Sequence, residues 1–196
     1  MSSILMSSDV EGFFAATMDE ALTSGRVSVS GSTRAYLVSL LAAMASRGLD
    51  REALGRPVTL QLQDALSAPL AERFESLRTL GDRTLAVAGL FADHLQAHGV
   101  SVGYVSSVGA SAYQNARALR RGAHEEADVF GELVAKFRPL VAALGELADG
   151  LFTGPADGPE GIVRVYTRWQ RTGSARLGRE LMTRGLVPMK ASRGVQ

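Results

Sequence analysis

Residues 68–121 read APLAERFESLRTLGDRTLAVAGLFADHLQAHGVSVGYVSSVGASAYQNARALRR, and at their centre Leu85-Ala-Val-Ala-Gly-Leu-Phe-Ala92 runs for eight residues without a polar side chain. Upstream, Leu70, Phe74, Leu77, Leu80 and Leu85 recur at helical spacing, and Ala88, Phe91 and Leu95 continue the pattern downstream. A helix that is apolar on one stripe at its ends and on all sides in its middle is covered by neighbours from several directions. Gly81, Ala86, Ala88 and Gly89 carry little side chain, so those neighbours can come close. The stretch is read as the central helix, or a broken helix pair, of an all-α fold.

The rest of the chain supports that class. Ala, Leu and Arg dominate its 196 residues, aromatics make up 6%, and β-branched residues nowhere alternate over a long run. Working outward from the centre, Gly99 interrupts the pattern, and Val102, Val105, Val108, Ala112, Ala116 and Leu119 mark a further helix over about residues 101–121. The next stripe runs from Phe130 to Leu151, and Pro139 within it predicts a kink near Arg138.

Gly154-Pro-Ala-Asp-Gly-Pro159 reads as a loop. Beyond it a helix with Ile162, Tyr166 and Trp169 inward is followed by a short one that Ser174 caps. On the N-terminal side, Asp9 is expected to cap a helix over about residues 10–24. A second helix runs from Ser32 or Thr33 to about Arg47, and a short third one follows Pro57. The expectation is a single compact bundle-like domain of about seven or eight helices around a central buried helix. It covers residues 9–190, with a flexible start at 1–8, a basic helical portion at 159–190 and a tail at 191–196.

Composition removes several chemistries. There is no cysteine, which excludes thiol catalysis, thiolate metal sites and disulfides. No apolar run approaches the roughly 18–20 residues of a membrane-spanning helix, and residues 1–12 lack the features of a secretory leader, so a cytoplasmic protein without membrane insertion is expected. Formal net charge is +1, too small for a general attraction to nucleic acid. Of 21 basic residues only Lys136 and Lys190 are lysine, a bias that with abundant Ala and Gly fits a GC-rich bacterial genome. GxGxxG, P-loop and EF-hand spacings are absent, as are a nucleophile elbow and a helix-turn-helix signature.

Two groups of residues remain as functional candidates. From Pro159 to Gln196 eight basic residues face two acidic ones, and Arg164, Arg168 and Arg171 fall at i, i+4, i+7 beside Trp169. Such a stripe suits an acidic protein surface, or the chain's own acidic Glu125–Asp128 region, better than nucleic acid, because one aromatic is too few for a stacking platform. On this reading the chain is a non-enzymatic regulatory or interaction module. It would act through Arg164, Arg168, Trp169 and Arg171 on a protein partner or a second copy of itself.

The alternative is a helical pocket protein, a sensor or an enzyme. Its small ligand, haem or metal would sit between the central helix and the 101–121 helix, on Asp82, His94, Tyr104, Ser107 and Tyr113. Asp82, entering the apolar block, needs an ion-pair or hydrogen-bond partner, and the usual role of such a residue is to tie adjacent helices. His94 and His98 are four apart and project to one side of a helix, a spacing two imidazoles can use on a metal. His124, Glu125 or Glu126 would have to complete such a site, and no HExxH or repeated ExxH accompanies it. His98 before Gly99 also suits a helix C-terminus with no metal at all. No cofactor is assigned, and haem or metal stays open.

Overall fold

In a computed structural model, residues 2–47, 55–120, 128–153 and 158–189 are described. Their elements in order are α1 (Ser2–Ser24), α2 (Gly31–Arg47), α3 (Val58–Ser67), α4 (Leu70–Leu90), α5 (Ala92–Ala97), α6 (Val102–Leu119), α7 (Val129–Ala135), α8 (Phe137–Thr153), α9 (Gly158–Thr172) and α10 (Ala175–Thr183). The fold is all-α, with no strand among the described residues. Several sequence features lie outside them: His124, Glu125, Glu126, Gly154–Asp157, Lys190 and the tail.

Among the described residues ten helices stand where about seven or eight were expected, because the central stretch is a broken pair and the helix before the Gly154 loop breaks as well. The central helix ends at Phe91, whose φ of −124° and ψ of 31° leave the helical region, and α5 starts one residue later. The helix before the Gly154 loop breaks at Lys136 (φ −110°, ψ 16°), three residues ahead of Pro139. Pro139 then falls in the first turn of α8, where its missing N–H leaves no intrahelical acceptor unpaired. The expected kink is thus a break, placed just upstream. At the other end, α1 begins at Ser2, ahead of the Asp9 start that the sequence suggests.

Helix α4 is the centre of the assembly and packs most extensively on α6 and then α8. Leu85, Ala86 and Ala88 are wholly excluded from solvent, as the apolar run requires. Gly99, at a φ of +70°, turns the chain after α5, and Ser101 caps α6 by accepting from the Tyr104 N–H. Gly81 then lies against Tyr113, and Thr84 against Gly109. Residue numbers that rise on one helix as they fall on the other make α4 and α6 antiparallel. A β-carbon at Gly81 would stand 2.5 Å from the Tyr113 ring, and one at Gly109 2.5 Å from the Phe137 ring, so both close approaches require glycine.

Around this pair, Met18 and Leu22 of α1, Leu37 and Leu41 of α2, Leu133 of α7 and Leu140, Leu144 and Leu147 of α8 form the main core. Helices α9 and α10 add a smaller core of Val165, Trp169, Leu177 and Leu181.

A polar clasp fixes the start of α2. The Glu132 carboxylate accepts the Ser30 backbone N–H at 2.9 and 3.2 Å and the Lys136 ammonium at 2.7 Å, and that ammonium also donates to the Ser28 carbonyl. Burial raises the Glu132 pKa, but the hydrogen bonds from Lys136, Thr33 and Ser30 outweigh it and bring the carboxyl down from 4.5 to about 2. The native state therefore holds this proton more weakly than the unfolded chain does. Its contribution to stability is complete above pH 4.5 and is lost as pH falls towards 2. Glu132→Gln is expected to cost about 1–2 kcal/mol at neutral pH and almost nothing at about pH 2, read from urea midpoints. An equal loss at both would mean that the side chain acts by packing alone.

Candidate functional site

Asp82 is the first of three places where polar side chains gather inside the structure. Its carboxyl is 14% exposed, and Oδ1 accepts both the Tyr36 hydroxyl (2.5 Å) and the Tyr113 hydroxyl (2.8 Å). Oδ2 faces the Arg78 guanidinium at 3.3 Å, which also donates to Glu75. Burial pushes the Asp82 pKa up, against the opposing pull of Tyr36, Tyr113 and Arg78. Burial, with the adjoining carboxylate, pushes both phenols up, so they stay protonated and act as donors. The group is a hydrogen-bonded tie among α2, α4 and α6. The sequence anticipates that Asp82 has such partners; Tyr36 of α2 completes the tie.

Of the five alternative ligand residues, only Asp82 and Tyr113 meet. Tyr104 sits on the opposite end of α6, 40% exposed, with its hydroxyl 3.1 Å from Thr59 Oγ1. Ser107 is exposed and donates to the Tyr104 carbonyl. His94 and His98 are exposed with ring centroids 4.2 Å apart, and His98 Nδ1 lies 2.8 Å from the His94 carbonyl at the end of α5. That is the helix-terminal arrangement, not a shared site with Asp82. Among the described residues no three His, Asp or Glu side chains are grouped to hold a metal ion.

The second place is the α9 stripe, two of whose four residues face inward. Arg168 is only 17% exposed. Its Nε lies 2.5 Å from Oδ1 of the buried Asp149 on α8, and its Nη1 3.5 Å from Asp93 on α5. Trp169 is buried against Val165, Leu177 and Leu181. Arg164 is exposed, and the Arg171 side chain lies outside the described residues. Asp128, one of the acidic residues suggested for this stripe, pairs instead with Arg117 of α6 at 2.5 Å. Internal pairing has claimed Arg168, because a guanidinium on the inner side of α9 is the counter-charge that Asp149 needs.

The third place is a cavity of 270 Å³ between the start of α3, α4, α5 and the start of α6. Val58, Val87, Leu95, Val100 and Val105 make its wall largely apolar, and Tyr104 flanks it. Arg83 and Arg56 line both this cavity and a wider polar groove of 460 Å³ beside it, so the two guanidiniums stand at the boundary between them. Arg56 pairs with Asp64 at 2.6 Å on the exposed rim. Arg83 is half-buried and donates from Nη1 to the neutral Gln61 amide oxygen at 2.8 Å. Sequence spacing carried a signal for this site: Arg83 and Val87 are four apart and project to one side of α4.

The chain matches no protein-family model, no curated protein and no solved structure.

Proposed function

We propose that the chain is a small-ligand-binding protein, a sensor or carrier that holds a compact apolar molecule in the cavity between α4 and α6. The observation that carries this reading is the apolar wall of that 270 Å³ space beside the central helix. Small-molecule sites are concave and mostly apolar with a few polar groups, as here with Arg83 and Thr84 beside the valines. This one has room for about nine water-sized groups, near the lower end of ligand sites. Of the five residues named for the pocket alternative, Tyr104 alone lines it.

The competing reading, a protein-interaction or self-association surface on Arg164, Arg168, Trp169 and Arg171, is the less supported one. Two of its four residues are turned inward.

Octan-1-ol is a suitable neutral probe. Burying eight carbons at about 0.8 kcal/mol each gives roughly 6 kcal/mol, a dissociation constant of tens of micromolar. Isothermal titration is expected to show saturable one-to-one binding of that order, abolished by Val100→Phe, which fills the cavity. Absence of saturable binding to the unaltered chain would sink the proposal.

A further inference from the structure

We infer that the ligand is an amphiphilic anion, a carboxylate on an apolar chain of about eight carbons, with its tail in the cavity and its head on Arg83. This rests on the cavity being a ligand site and adds the charge of what it takes. The groove beside the cavity is lined by two carboxylates, Asp64 and Glu75, and two arginines, Arg56 and Arg83. Asp64 is held by Arg56 at 2.6 Å, and Glu75 by Arg78, which reaches it at 2.6 Å from the next turn of α4. Both groove carboxylates thus have a cation beside them, Arg78 serving Asp82 as well, and among the described residues the hydrogen-bond partner of Arg83 is the Gln61 amide.

A half-buried guanidinium carries five N–H donors on a fixed plane, and one amide oxygen satisfies few of them. The group that matches the remaining donors is an oxyanion, and a planar carboxylate matches two of them at once. Arg83 lines the apolar cavity as well as the groove, so an anion held there can extend an apolar chain inward without a second polar contact. Arg56 can join it, because its pair with Asp64 is an exposed one of small net strength. A purely apolar ligand would leave most of the Arg83 donors facing it unmatched, with the Gln61 amide as their one acceptor among the described residues, and an ammonium head would meet like charge.

The test compares three probes of one chain length on the full chain: octanoate, octan-1-ol and octylammonium, at low and at high ionic strength. Octanoate is expected to bind about tenfold more tightly than octan-1-ol, as a charge-assisted hydrogen bond implies. Its advantage should shrink as salt is raised, and octylammonium should bind least. Arg83→Gln should narrow the octanoate to octan-1-ol ratio to within about threefold, and Arg83→Lys should restore part of it. If Arg83→Gln fails to fold, the ranking and salt response of the unaltered chain decide. Octan-1-ol and octanoate binding equally would overturn the charge assignment and leave the apolar site standing. If neither binds, the site itself is wrong.

Discussion

Replacing Arg168 by methionine is expected to lower the stability of the chain by about 3–5 kcal/mol, the cost of breaking a buried ion pair by removing one member. Asp149 is 3% exposed and has the Arg168 Nε 2.5 Å from one of its oxygens. Methionine keeps the bulk of the side chain and removes the charge, so the loss reads the electrostatic term. Asp149→Asn in the same chain should return a large part, since a neutral amide is far less unfavourable in that place. Trp169, the only tryptophan, sits one residue away in the small α9–α10 core, and its emission reports whether that core loosens with the junction. Arg164→Glu, on the exposed side, should change stability by no more than about 0.5 kcal/mol. A loss below about 1 kcal/mol for Arg168→Met would show instead that the pair behaves as a solvated one.

Second in size is a coupled pair at the α4–α6 contact. Tyr113→Ala should cost about 3–5 kcal/mol, because the ring is fully buried and touches Phe130 and Phe137, and because Asp82 loses a donor. Gly81→Ala alone should cost about 1–3 kcal/mol, since its β-carbon meets that ring at 2.5 Å. With the ring gone the same β-carbon has space, and alanine's better helix propensity, about 1 kcal/mol, then acts unopposed. Gly81→Ala is therefore destabilising in the natural chain and stabilising in the Tyr113→Ala chain, a reversal of sign that a thermodynamic cycle on denaturant midpoints measures. Simple additivity would mean that the Tyr113 ring shifts readily and that the close packing is not what selects glycine.

The central helix was legible in the sequence because an all-round apolar run has one stable solution, enclosure. Helix breaks were less so. Phe91 and Lys136 are ordinary helix residues, so the sequence offers a broken central pair and a kink near Arg138 but not the residues at which the backbone leaves the helix. The α9 stripe shows a different limit. Periodicity puts Arg164 and Arg168 on one side, but a residue turned a little towards the core finds a buried acid and one turned away finds water. Which acid that is depends on α8, some twenty residues upstream. Asp82 was legible as a carboxylate needing partners, whereas Tyr36 and Tyr113 become those partners only when α2 and α6 dock. The cavity was hardest to foresee: its valines look like any core, and Arg83 gains meaning only once Asp64 and Glu75 are seen to be taken.

The antiparallel packing of α4 on α6 also bears on how the chain comes together. Asp82 and Tyr113 are 31 residues apart, while the clasp between Ser30 and Glu132 joins residues 102 apart. Loop-closure entropy favours the shorter connection by roughly 1 kcal/mol before either contact gains anything. Contacts close in sequence are also those that form fast. Assembly along the least unfavourable closures therefore starts at the middle of the chain and grows towards both ends, with α1 and α2 docking on α8 and α7 after these have joined α4 and α6.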